Sequence, residues 1–512
     1  MLEFRKIIYW SIGLVFTFIF LFCIFYYLDY ISQILRFSYD WEPTDGDHLN
    51  FARRIANGLP IYLPLNSGEI LSIYNPLYHG LVAIIGGKYV SLSFARSISF
   101  ILWAAIPVTV FLYYKKKWNY FLAIIAAVFI WLPPTQGMLL EVVQVSPNST
   151  MPFFFLSTLL LLESCTNSKR NYLWKWLFIG FLAAMTYLSK QQGVIVVPII
   201  MFFLIIRKTN IRNIITVLFG FTIVLGTSTF YLESVNSGQF LNMTLFELNK
   251  ILNSSYRHAF YRLVMFLIDN LAFTICVLLS LFSIISNYKK ISIWQISFIL
   301  HIPFLLKILG NAGGGITYCL TLWITMVLIS IDFINSKEFS YLSLKSIFKI
   351  NWPIKYFKTS SFSKIILFCL CVNISFGTTS IYNDLDSITP PSPKLNALME
   401  NYYHSIDSLI ISKPNSKVLT NRNIGMLVLA NANIENEGST LFQYAWPSTN
   451  SFNRNLTLES IRNKEYDLIT SGIQNYPEDV KKEIDANYKV TLTNEVNLIY
   501  GNTGIVNTYT PK

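Results

Sequence analysis

Runs of about twenty apolar residues recur along most of this chain, and no other feature of the sequence restricts its fold so tightly. A helix needs about 20 such residues to cross the hydrocarbon layer of a bilayer. Candidate crossings begin near Ile7, Arg96, Tyr120, Thr150, Tyr172, Gly193, Ile214, Phe260, Ile291, Ile316 and Ile365. Charged residues make up only 13% of the 512, against 53% hydrophobic types, which is too little charge to cover a soluble body of this size. The expected fold is an α-helical polytopic membrane protein of about eleven transmembrane helices.

Charge placement sets the expected orientation. The formal charge is +12, but the Lys and Arg residues sit in short clusters between apolar runs, which marks topology rather than a nucleic-acid surface. Those clusters are Arg5 and Lys6, Lys115 to Lys117, Lys169 and Arg170, Arg207 with Lys208 and Arg212, Lys289 and Lys290, and the stretch from Lys337 to Lys364. Counted from a cytoplasmic N-terminus, every one of them falls inside. The start, MLEFRKIIYW, is basic and leads into an apolar run too long for a signal peptide, so it reads as a retained first helix. Cys23, Cys276, Cys319, Cys369 and Cys371 lie in apolar runs and Cys165 at the end of one, which argues against a disulfide framework or structural zinc.

An odd number of crossings puts everything after about residue 376 outside. The outer face then carries a long first loop, 29–95, with the polar stretch WEPTDGDHLNFARRIANGLPIYLP and the apolar piece NPLYHGLVAIIGG, which is too short to span and is expected to lie on the membrane surface. On the inside, FSYLSLKSIFKINWPIKYFK interleaves basic and aromatic residues as a helix on an anionic leaflet does. Two domains are expected: a membrane domain over 1–384 and an extracytoplasmic α/β domain over 385–512, beginning near PPSPK. In the second, strand-like runs (SKVLT, GMLVLAN, YDLIT, NLIYGN) alternate with helical ones (LNALMENYYHSIDSLI, LTLESIRNKEY, PEDVKKEIDANY), the pattern of a sheet covered by helices.

Residues able to carry chemistry gather on the outer side. Asp45 and Asp47 stand two apart in the first loop, where carboxylates can share a cation or divide the work of orienting a group and accepting its proton. The competing reading is that Thr44, Asp45 or Asp47 caps an amphipathic helix running from near His48 to a stop at Gly58. Lys190, in LAAMTYLSKQQG, sits at an outer helix end where the positive-inside bias gives no reason for a lysine; a cation there can clamp a phosphate or simply snorkel to the headgroups. Lys307 and Arg96 have similar places. Glu141 stands in the second outer loop, facing the first loop or only solvent. His48, His79, His258 and His301 show no metal-ligand spacing, and His79 beside Tyr78 is expected to anchor the surface helix at the interface.

The first loop resembles the GT-C superfamily of membrane glycosyltransferases, in the branch of protein O-mannosyltransferases and aminoarabinose transferases (glycosyltransferase family 39-like). The likeness rests on an acidic pair, Asp45 and Asp47, followed by Ala52 and Arg53, Gly58 with Tyr62, and Tyr74 with Pro76. ARSISF, YLSKQQG, SGQF and KILGNAGGGITYCL then follow in the same order. The resemblance implies transfer of a sugar, with inversion, from a polyprenyl-phosphate donor to a cell-envelope acceptor (glycan, lipid or protein) at the outer face of the cytoplasmic membrane. It further implies Asp45 or Asp47 as base or acceptor-orienting group, and Lys190, with Lys307 and Arg96, as ligands of the lipid phosphate. Glu141, Tyr74 and His79 would line the acceptor side. A divalent cation, Mg or Mn, at Asp45 and Asp47 is the candidate cofactor. Where the family usually has an aspartate at the head of the fourth helix, this chain has the Ser146 to Ser149 stretch, which weakens the case for a metal held between loops.

Two rivals remain. A transporter or flippase would show paired half-repeats and broken helices at the midplane, whereas the polar residues here lie at outer helix ends. A polysaccharide polymerase or ligase would take lipid-linked oligosaccharides and ignore a single-sugar phosphate lipid.

Overall fold

A computed structural model describes residues 25, 27–41, 44–64, 72–118, 120–132, 138, 143–168, 172–247, 255–285, 291–310, 315–335, 369–374, 392–413, 416–420, 424–430, 433–436, 454–472, 476–499 and 502–512. Two short helices of the first loop, α1 (Asp45–Ala56) and α2 (Leu77–Gly86), precede a helical body. That body comprises α3 (Leu92–Tyr114), α4 (Tyr120–Trp131), α5 (Thr150–Asn167), α6 (Leu173–Ser189), α7 (Val196–Ile206), α8 (Ile211–Val235), α9 (Tyr256–Asp269), α10 (Leu271–Ile285), α11 (Ile293–Ile308) and α12 (Leu320–Asn335). Among the described residues three helices are long and apolar enough to cross a membrane alone: Leu92–Tyr114, Ile211–Val235 and Thr317–Asn335. The pair α9 and α10, bent by 95°, makes a fourth if taken as one broken span. The inner amphipathic stretch expected around residues 339–358 lies outside the described residues, as does most of the expected first crossing.

Local chemistry explains where the helices start and how they pack. The Ser91 hydroxyl accepts from the Phe94 amide at the head of α3, and Ser292 with Gln295 forms a reciprocal capping box at the head of α11. Helices α6 and α8 touch backbone to backbone: a Cβ on Gly180 would meet the Val217 carbonyl oxygen at 2.1 Å, and one on Gly220 the Leu177 oxygen at 2.4 Å. The opposite face of α8 leaves Ile211, Ile215, Phe219, Ile223 and Phe230 exposed, which is tolerable only against lipid. At the far end of the body, Lys117 joins Glu163 (2.7 Å) and Asp332 (3.6 Å), while the Trp294 indole donates to the Tyr114 hydroxyl.

The first loop is stapled down over this body. The Asn236 side-chain oxygen, just past α8, accepts from the Ile61 and Tyr62 amides at 2.9 and 3.1 Å, and the Tyr62 hydroxyl donates to the Tyr74 carbonyl. Asn75 donates to the Tyr187 carbonyl at 2.5 Å, and the Gln191 amide to the Ile73 carbonyl. Helix α2 is ten residues long, too short to span; Tyr78, His79, Val82 and Ala83 face inward while Ile84 and Ile85 stay exposed, as on a helix lying at an interface.

The C-terminal part forms a five-stranded mixed sheet from β1 (Lys417–Thr420), β2 (Asn433–Asn436), β3 (Leu468–Gly472), β4 (Tyr488–Ile499) and β5 (Asn502–Pro511). The strand order is β2-β1-β3-β5-β4. β1 pairs in parallel with β2 and β3, and β5 runs antiparallel to β3 and β4. Helices α13 (Pro393–Ile411), α15 (Arg454–Arg462) and α16 (Glu478–Asn487) match the three helical patterns of the sequence. SKVLT and YDLIT fall on β1 and β3, and NLIYGN runs from the end of β4 to the start of β5, with residues 500 and 501 outside the described residues.

GMLVLAN does not form the expected strand. It folds as α14 (Ile424–Leu429), because an unbroken apolar run carries no period-2 signal and here its burial comes from packing on α1. Val428 joins the core formed by Leu49, Phe51, Tyr62 and Val82, and its carbonyl accepts from the Arg53 guanidinium at 2.6 Å. The C-terminal part is thus docked on the first loop. The expected boundary between residues 384 and 385 lies outside the described residues.

Candidate functional site

The site assembles where three segments meet: the first turn of α1, the approach to α5, and the break between α6 and α7. At that break the chain leaves α6 with Lys190 extended (φ −160°) and enters a 3-10 turn, Gln191–Ile195. Gly193 is obligatory there, since a Cβ would meet the Thr186 carbonyl oxygen at 2.1 Å. The sequence SKQQG therefore makes a sharp corner that aims Lys190 inward. Lys190 is 5% exposed, and its ammonium donates to the Asn148 side-chain oxygen at 2.5 Å and lies 4.5 Å from the centre of the Tyr318 ring.

Asp45 and Asp47 share the first turn of α1 but have different surroundings. Helix α1 begins at Asp45, three residues before His48, and Thr44 at its cap makes no side-chain capping bond, so the capping expectation does not hold for Thr44. Asp45 is fully buried in an ion pair with Arg96 (2.6 Å, both side chains 0% exposed). Its Oδ1 also accepts from the Val145 amide at 2.8 Å, and its Oδ2 from the Trp41 amide at 3.2 Å. Arg96 completes the clamp by donating to the Ile34, Phe37 and Tyr39 carbonyls. One ion pair thus ties the end of helical segment 27–36, α1, α3 and the approach to α5 together.

This corrects the expectation for Arg96. The guanidinium is fully buried and both its terminal nitrogens are taken by three carbonyls and a carboxylate, so it is placed to hold the fold together rather than to meet a lipid phosphate. It also bears on the metal: Asp45 does not fit a divalent cation, because a guanidinium already lies against the oxygen that would ligate it and backbone N–H groups hold both oxygens. Among the described residues no three His, Cys, Asp or Glu side chains converge as a metal site. Asp47 is 6% exposed on the same helical turn.

His79 does not anchor α2 at the interface; it points inward and is fully buried, because its Nε2 lies 2.7 Å from His48 Nδ1. Burial, with the Lys190 charge as the second cause, lowers the His48 pKa to about 3. Burial lowers His79 well below the ordinary imidazole value, and His48 adds to that. The half-buried Tyr74 ring packs on His48 at 5.0 Å. Lys307 is exposed on the last turn of α11 and makes no hydrogen bond or ion pair among the described residues. Glu141 lies outside the described residues.

The structure therefore brings Lys190, Asp45, Asp47, Tyr74 and His79 to one region and leaves Lys307 at a separate helix end. Sequence reasoning missed Asn148 and His48 as members of the site. For Asn148 the signal was present: it falls in the polar Ser146 to Ser149 stretch at the approach to α5, and its side-chain oxygen accepts from the lysine.

Residues 77–231 match the family described as dolichyl-phosphate-mannose-protein mannosyltransferase. No curated protein sequence matches the chain. The fold matches ArnT from Cupriavidus metallidurans bound to undecaprenyl phosphate, with a TM-score of 0.59 at 10% identity over 95% of this chain and 97% of that one. It also matches the oligosaccharyltransferase of Archaeoglobus fulgidus in complex with Zn and sulfate, with a TM-score of 0.51 at 12% identity over 95% of this chain and 72% of that one. The archaeal enzyme AglB, in complex with an inhibitory peptide and a dolichol-phosphate, gives 0.50 at 11% identity over 94% of this chain and 74% of that one. At such identities the structural likeness is one of fold, and with the family match over α2 to α8 it bears out the resemblance to GT-C glycosyltransferases of the ArnT and protein mannosyltransferase kind.

Proposed function

We propose that this relative of ArnT and the protein mannosyltransferases, GT-C in fold, transfers a sugar from a polyprenyl-phosphate lipid to a cell-envelope acceptor at the outer face of the cytoplasmic membrane. The observation that carries the reading is the placement of Lys190: a lysine buried to 5% exposure, its ammonium held by Asn148 and Tyr318, on a corner hydrogen-bonded to the loop that brings in α1 and α2. The donor lipid enters laterally between helices and its phosphate meets Lys190. In the transfer step the acceptor hydroxyl attacks the anomeric carbon as the bond from that carbon to the phosphate oxygen breaks. The bonding electron pair leaves on the phosphate, where the buried ammonium stabilises it. The hydroxyl proton passes to a carboxylate, and inversion follows from a single displacement. Asp47 is assigned that carboxylate, and Asp45 positions α1 through Arg96. No step passes through a metal ion.

The rest of the assignment follows the charge pattern: about eleven crossings, a cytoplasmic N-terminus, and the sheet domain outside, where its α14 covers the first loop. Glu141 is assigned to the acceptor side and Lys307 to the headgroup boundary. Asn148 supplies the test. Asn148→Asp puts a carboxylate against the ammonium in place of an amide oxygen and cancels the charge that the donor phosphate meets. The expected result is a KM for the lipid-linked sugar raised by about tenfold or more, while Asn148→Ala raises it only a few-fold. Equal KM values for both variants and wild type in proteoliposomes would contradict the phosphate assignment of Lys190.

A further inference from the structure

We propose that His48, oriented by His79, is a neutral hydrogen-bond donor to the phosphate headgroup of the polyprenyl phosphate lipid, beside Lys190. The inference rests on the transfer reading above and assigns a second ligand at its phosphate. Two imidazoles occupy a wall otherwise built of Phe51, Tyr74 and Tyr78, with His48 2% exposed and His79 fully buried. Their rings stack at 5.0 Å and 23°, with His48 Nδ1 2.7 Å from His79 Nε2. Tyr78 takes no part in this bond, since its hydroxyl donates to the Ala95 carbonyl and accepts from Ser99.

The same wall faces the lysine. Ile73 and Asn75 are hydrogen-bonded to Gln191 and Tyr187, on either side of Lys190, and Tyr74 between them packs on the His48 ring. His48 is therefore one side chain away from the corner that carries the ammonium.

The direction of the bond follows from His79 Nδ1, which is buried and has no hydrogen-bond partner among the described residues. If His48 donated to His79, that nitrogen would carry a buried hydrogen with no acceptor. If His79 donates, it is only an unmet acceptor, the less costly of the two. His79 Nε2–H then donates to His48 Nδ1, and the hydrogen of His48 sits on Nε2, which makes no hydrogen bond among the described residues. Burial keeps both rings neutral at physiological pH, so His48 offers a donor without placing a second cation against Lys190.

The test uses the full chain in proteoliposomes, with undecaprenyl phosphate as probe and the thermal denaturation midpoint measured for each variant. Gln at position 48 places an amide donor near Nε2, while Asn places its amide near Nδ1. The expected result is that His48→Phe weakens binding roughly tenfold, His48→Gln recovers most of it, and His48→Asn does not. His79→Phe, which removes the orienting bond, gives a loss that His48→Gln in the same chain restores.

Unchanged binding in His48→Phe alongside a large loss in Lys190→Ala overturns the role of His48 and leaves the transfer reading standing. Rescue by Asn rather than Gln also overturns it, by showing that contact with His79 is what matters. Unchanged binding in both His48→Phe and Lys190→Ala defeats the phosphate site itself. Competition by inorganic phosphate at matched concentration makes the site one for free phosphate and overturns the lipid assignment; its absence supports the headgroup.

Discussion

Lys190→Ala is expected to lower kcat/KM for polyprenyl-phosphate sugar by about 10²- to 10³-fold, the range for removing one preorganised charge from a developing anion in a water-poor site. The effect is large because the lysine is nearly buried: the break after α6 holds its ammonium between the Asn148 oxygen and the Tyr318 ring, where bulk water cannot replace it. Lys190→Arg should recover little, since a planar guanidinium cannot occupy a pocket shaped around a point charge. The fold should survive either change, because the corner itself is held by the Asn75 and Gln191 hydrogen bonds. Initial rates in proteoliposomes with the denaturation midpoint as control measure this. A rate within threefold of wild type for Lys190→Ala would remove the lysine from the mechanism.

Arg96→Met is expected to act on stability instead. It leaves the Asp45 carboxylate fully buried without its cation, a loss of about 3–5 kcal/mol for one half of a buried pair. The backbone N–H groups of Trp41 and Val145 still donate to Asp45, but they carry no formal charge to oppose it, and the carbonyls of Ile34, Phe37 and Tyr39 lose their common donor. The denaturation midpoint should fall by several degrees and first-loop proteolysis should rise. The double variant Arg96→Met with Asp45→Asn should recover part of the loss, because no buried charge remains unpaired. Asp45→Asn alone should likewise lower the midpoint. If it instead kept the midpoint and lost only turnover, Asp45 would be the base and the assignment to Asp47 would be wrong.

The membrane-helix pattern was readable because lipid imposes it: helices start at 92, 120, 150, 173, 211 and 293, close to where the apolar runs start. Glycines that let α6 and α8 touch left no comparable mark, since close approach depends on two distant positions at once. The strand-like GMLVLAN became a helix for a related reason, as only its contact with α1 tells which way its apolar run is buried. Within the site, Lys190 stood out because a lysine at an outer helix end breaks the charge pattern. The roles of the two aspartates did not: spacing cannot say that one of them meets an arginine fifty-one positions on. His48 and His79 are thirty-one residues apart with no motif between them, so their pairing exists only in the folded chain.

The most direct measurement is consumption of radiolabelled polyprenyl-phosphate sugars by the purified chain in proteoliposomes, across a panel that runs from single-sugar phosphates to lipid-linked oligosaccharides. Release of undecaprenyl phosphate from at least one single-sugar donor, lost in Lys190→Ala, is the predicted result. Turnover of oligosaccharide donors alone would make the protein a polymerase or ligase. A folded protein that consumes no lipid-linked sugar would contradict the account.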